Sequence, residues 1–188
     1  MPQGLLGALL SLCTRRAPDR RRRGKPEDRS PANMSMTREL VHAAVKHDEQ
    51  ALRNLLILAQ QDEGARAIAA SGGIDALCGL LLGRFDKGLG AALMSAAMGV
   101  KLQTWQLLTI ETVSALVRFP HCREFVAKSG VAGLLAAAAL SKAQPHDARG
   151  AATCALGALC EHTDGGCGVV REQLMTVNAI PQFAAFIQ

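Results

Sequence analysis

Between positions 104 and 140 apolar residues recur at intervals of three and four. Leu108, Val113, Leu116 and Val117 fall on one stripe of a long helix. Phe119-Pro120 interrupts the stripe. Proline is tolerated in the first turn of a helix and disfavoured inside one, so a new short helix is expected to open there. Ser129-Gly130 ends it, and a third helix follows over 131–140. A long helix and two short ones joined by sharp corners cannot each bury an apolar face alone, so they must pack on neighbours.

The corner recurs. Ser71-Gly72-Gly73-Ile74, Lys128-Ser129-Gly130-Val131 and Val177-Asn178-Ala179-Ile180 align. Apolar residues stand six before the branched residue (Ile68, Phe125, Leu174) and three after it (Leu77, Leu134, Phe183). The alignment puts Gly72, Ser129 and Asn178 at the turn. Serine adopts positive φ less readily than glycine, which leaves Gly130 as the alternative at the second corner. Ala51-Leu52, Ala115-Leu116 and Ala155-Leu156 head similar runs, the last two 40 residues apart. That spacing belongs to two- and three-helix solenoid units. The first two corners are 57 apart, and the excess of 17 falls in the Gly-, Ala- and Met-rich stretch 84–102, expected to be an insertion.

The segments ARAIAASGGIDALCGLL, CREFVAKSGVAGLL and ALRNLL resemble units of the armadillo-repeat family over about four-fifths of the chain. The resemblance implies an all-α, right-handed superhelix of three-helix repeats, with HEAT-type helix pairs as the alternative. Residues 34–188 would hold a partial first repeat, two fuller ones and a truncated last one. Two helices are expected over 37–60, broken near Lys46-His47-Asp48, with Asp48 capping the second and Ala51, Leu52, Leu55 and Leu56 inward. Another long helix spans 145–160 with Ala151, Ala155, Leu156 and Leu159 inward, then a Gly-rich loop over 162–168 and a short helix over 169–176. The final helix carries Pro181 in its first turn and ends at Gln188 with Phe183, Phe186 and Ile187 uncapped, which leaves a fragment or end-to-end self-association open.

Composition agrees with close helix packing: 49% hydrophobic, one Trp and no Tyr. The net charge of +5 is localised. Residues 1–33 hold eight Arg or Lys against three acids, whereas 34–188 hold thirteen of each. The first 33 residues, with Arg15, Arg16, Arg20, Arg21, Arg22, Arg23 and Lys25, therefore read as a disordered basic tail. Its apolar run over 5–12 is too short to span a bilayer and precedes the arginines, the reverse of a secretory signal. The tail suits a nuclear-localisation or nucleic-acid role, or an acylated basic membrane anchor through Cys13, and leaves organelle targeting open. No aromatic interleaves the arginines, so base stacking has no platform there. The six cysteines form no disulfide framework, which points to cytosol or nucleus.

No phosphate loop, GxSxG or HExxH is present, and no enzyme activity, cofactor or small-molecule substrate is expected. Glu111 and Glu124 read as solvated acids, His42, His47 and His146 as surface residues, and Trp105 as core or rim. Cys160, His162 and Cys167 form a weak zinc candidate lacking a fourth ligand, for which Cys154 or His121 is available. The family resemblance implies instead a groove lined by third helices that binds a protein or peptide partner. Gln50, Asn54, Glu111, Ser114, Arg118, Cys154, Ala158 and Glu161 would present to it. Peptide-binding armadillo proteins carry Asn on that helix with Trp one turn earlier; only Asn54 matches, so an import-receptor role is not expected. The expected function is a scaffold; the alternative is a nucleic-acid or membrane-tethered adaptor driven by the tail.

Overall fold

The computed structural model describes residues 31–83, 102–161 and 166–176, which form helices and no strand. The helices are α1 (Pro31–Val45), α2 (Glu49–Ala59), α3 (Asp62–Ala70), α4 (Gly73–Leu81), α5 (Thr104–Leu116), α6 (Pro120–Ser129), α7 (Ala132–Leu140), α8 (His146–Cys160) and α9 (Gly166–Thr176). The expectations for the basic tail up to residue 30, for the insertion up to 101 and for Pro181, Phe183, Phe186 and Ile187 lie outside the described residues. Among the described residues no helix is long and apolar enough to cross a membrane.

Among the described helices every third one packs on its counterpart: α2 along α5 and α5 along α8, while α3 meets α6 and α6 meets α9. The intervening α4 packs on α1, α5 and α6, and α7 on α8 and α9. Helix α5 is the centre of the stack. Leu108, Val113, Leu116 and Val117 are buried as expected, but so are Trp105, Ile110, Thr109 and Thr112, because neighbours cover several of its faces. The two threonines satisfy their hydroxyls inside the helix, donating to the Trp105 and Leu108 carbonyls at 2.6 and 2.7 Å. The Ala-rich α7 and α8 bring small side chains together: Ala132, Ala136, Ala138, Ala139, Ala148, Ala152 and Ala155 are all buried.

The corners form as their chemistry requires, with one change of register. Gly72 (φ 74°) and Gly130 (φ 91°) hold the left-handed positions. Ser71 and Ser129 precede them and donate to the carbonyls of Ile68 and Val126. Ser71-Gly72 thus matches Ser129-Gly130, one residue out from the sequence alignment, and Ser129 stays helical. Asp48 caps α2 through the amides of Gln50 and Ala51. Phe119 is the N-cap of α6 with Pro120 in its first turn.

Side chains from following elements satisfy several helix C-termini. Arg123 donates to the carbonyls of Val117 (2.7 Å) and Arg118 (3.3 Å) at the end of α5, and Arg149 to Ala139 (3.3 Å) at the end of α7. Gln173 of α9 bridges the α6–α7 corner, donating to the Ala127 carbonyl and accepting from the Ala132 amide.

Several details differ from the sequence expectations, Phe125 among them, which is exposed where its aligned partners Ile68 and Leu174 are buried. Helix α1 begins at Pro31, taking in residues 31–33. Ala151 is only half-buried, the inward row of α8 being Ala148, Ala152, Ala155, Leu156 and Leu159. Helix α9 begins at Gly166 rather than 169, so residues expected in a loop are helical. His47 is not a free surface group: it takes φ 65° in the α1–α2 turn and stacks on Trp105, ring centroids 4.2 Å apart at 9°.

Candidate functional site

The α2, α5 and α8 rows can be put in register from their cross-contacts. His47, just before α2, stacks on Trp105 in the first turn of α5, and further along Arg53 acts on Glu111. Between the next pair Glu111 is influenced by Asp147, and three residues on the Ser114 hydroxyl donates to the Ala151 carbonyl at 2.8 Å. The His47–Trp105 stack and the Ser114–Ala151 hydrogen bond, with the longer-range electrostatic influence of Arg53 and Asp147 on Glu111, fit parallel helices offset by about 58 and 36 residues.

The expected face residues distribute along this ladder. Gln50 and Glu161 are exposed, and Gln50 donates through Nε2 to Asn54 Oδ1 at 3.2 Å. Arg118 and Cys154 are exposed and near the same height. Ser114 is half-buried with its proton committed to Ala151, and Ala158 packs against the core. The Ala-Leu pairs do not mark equal heights: Ala51 lies in the first turn of α2 and Ala115 in the last turn of α5. Asn54 therefore lies level with Thr112, and Arg118 lies about 9 Å further along at the usual helical rise.

Sequence reasoning missed Arg53 and Asp147. With Glu111 they form a mixed-charge row across all three helices, so Arg118 is not the only cation of the face. A helical wheel drawn from Gln50 reaches Arg53 and the exposed Ile57, which was the available signal. The carboxyl of Glu111 is raised above its ordinary 4.5, first by partial burial and then by Asp147, with Arg53 acting the other way. A carboxyl raised on folding favours its protonated form, so its ionised form weighs against the fold at neutral pH. Glu111→Gln should therefore melt higher than wild type at about pH 7, and the gap should close as the pH falls below the ordinary carboxylate range. Thermal melts across that range check it; a lower melting temperature at neutral pH would mean Arg53 dominates instead.

Of the three residues of the zinc candidate only Cys160 has a described side chain. Cys160 ends α8 half-buried, and the side chains of His162 and Cys167 lie outside the described residues. Cys154 is exposed two turns earlier on α8, while His121 sits on α6 with Nδ1 3.9 Å from Asp62 Oδ1. Among the described residues no three potential ligands gather. Cys122 is buried against the Ala65 carbonyl, and burial followed by Asp62 pushes its thiol up to about 11, against the weaker pull of Arg66. It stays protonated at neutral pH and is a core residue rather than a nucleophile. Glu124 pairs with Lys128 at 2.6 Å on the exposed side of α6.

Compared with family models, with curated proteins and with solved structures, the chain finds no match. What the exposed row can do chemically is hydrogen-bond through Gln50 and Asn54, pair with either sign of charge through Arg53, Arg118, Glu111 and Asp147, and cover apolar atoms with Ile57.

Proposed function

We propose that this chain is a non-catalytic interaction scaffold of the armadillo type, holding an extended segment of a protein partner along the α2–α5–α8 row. The observation that carries this is the parallel ladder of every third helix. Between α5 and α8, where every residue is described, two helices intervene, and this supports three-helix units over HEAT-type pairs, whose equivalent helices recur at every second position. Solenoids use such stacked helices as extended binding surfaces. An extended backbone would find amide partners at Asn54 and Gln50, an acidic side chain would pair with Arg118, and a basic one with Glu111 or Asp147. The row exposes Ile57 but no aromatic anchor, so affinity should be modest, about micromolar.

Affinity capture followed by mass spectrometry tests the reading with three full-length proteins: wild type, Asn54→Ala/Arg118→Glu and Lys128→Glu. Arg123 is unsuitable as a control because it caps α5. Proteins captured by wild type should be lost from the double variant and kept by Lys128→Glu. The reverse pattern would move the partner to the α3–α6–α9 side.

A further inference from the structure

The outer face of α1 carries a second charged surface, separate from the α2–α5–α8 row. Arg38 and His42 stand about 6 Å apart along one side of the helix, Lys46 follows four residues on in the turn just past its end, and all three are exposed. None of their side chains is held in a hydrogen bond or ion pair among the described residues. With Glu39, Ala43 and Asp48 they line an open depression beside the α1–α2 turn. The two acids there differ in how far their charge is offset. Glu39 accepts from the Ser35 hydroxyl, and Asp48 accepts the first amides of α2, where the helix dipole offsets its charge. Helix α1 starts at Pro31, directly after the segment that concentrates the chain's excess of positive charge.

We propose that Arg38, His42 and Lys46, which follow the arginine-rich segment in sequence, form a phosphate-binding stripe that holds the backbone of a nucleic acid. Three cationic or ionisable groups at a regular spacing suit a polymer of regularly spaced phosphates. A lipid surface fits less well. An interfacial helix pairs its basic face with a broad apolar one for the acyl boundary, whereas α1 turns Val41 and Ala44 into the core and leaves Met36 as its one largely exposed apolar side chain among those described. Neither the stripe nor the arginine run contains a Phe, Tyr or Trp to serve as a stacking platform, so contacts are chiefly to phosphate and recognition is independent of sequence.

The test is fluorescence anisotropy of the full chain with a fluorescein-labelled single-stranded RNA of mixed sequence, titrated at several salt concentrations. Wild type should bind with a steep salt dependence. Arg38→Gln/Lys46→Gln should bind several-fold more weakly, and its slope of log affinity against log salt should be shallower by about 1.4, or 0.7 per lost contact. Glu39→Gln, which removes a repelling charge without touching the stripe, should bind more tightly. Asn54→Ala/Arg118→Glu should bind as wild type, which keeps this outcome separate from that of the scaffold reading. Circular dichroism verifies that each variant folds. A wild-type slope in the double variant, unchanged or weaker binding by Glu39→Gln, or no RNA binding overturns the stripe. So does capture by phosphatidylserine vesicles that RNA does not compete away, which would make the partner a membrane.

Discussion

Leu116→Asp should give a chain with no cooperative thermal transition. Leu116 has 0% exposure at the end of α5, the helix on which α2, α4 and α8 all pack. Removing its side chain alone costs about 2–5 kcal/mol in a well-packed core. Placing a carboxylate there adds about 3 kcal/mol or more, because a buried charge without a partner forfeits its hydration. The sum rivals the whole stability of an ordinary domain, about 5–15 kcal/mol. Differential scanning calorimetry checks this directly. A melting temperature close to wild type would show that this face of α5 is not buried.

Gly64→Ala should destabilise by about 3 kcal/mol, the upper range for overpacking, although it adds a single methyl group. Gly64 lies in the first turn of α3, where the chain doubles back over the end of α2. A Cβ there would overlap the Leu58 carbonyl oxygen and stand 2.7 Å from its carbon. Both obstacles are backbone, so no rotamer change relieves them and α3 must move off α2. The melting temperature should fall by about 6–12 °C. Gly130→Ala makes the contrast: nothing lies within 4 Å of its Cβ position, and the strain comes only from a φ of 91°. If Gly64→Ala were the milder of the two, the close α2–α3 approach would be wrong.

The parts of the fold legible in the sequence were those governed by local chemistry. Pro120, Gly130 and Asp48 announced helix ends because each acts on its own backbone. The inward stripe of α5 was visible because burial on one side leaves a period. Its remaining faces were not, since Thr109 and Thr112 look polar until the helix carbonyls accept their hydroxyls. His47 looked like a surface residue for a related reason: what buries it is Trp105, 58 positions away, through a contact no local pattern encodes.

The candidate face was legible only in part. Matching Ala51-Leu52 with Ala115-Leu116 paired two helices that do pack together but set them at unequal heights, because a two-residue apolar match is satisfied in any helical turn. Parallel register is set by cross-helix contacts such as Ser114 to Ala151, and only these bring Arg53, Glu111 and Asp147 into one row. Arg123 illustrates the converse: it reads as a surface cation, yet it caps the carbonyl ends of α5.

Hydrogen–deuterium exchange of the full chain, with and without a captured protein partner, locates the binding face. The scaffold account predicts slower exchange on adding partner in α2, α5 and α8, strongest around residues 50–57 and 111–118, with α6 and α9 unchanged. Protection confined to α6 and α9, with α2, α5 and α8 unaffected, would contradict it.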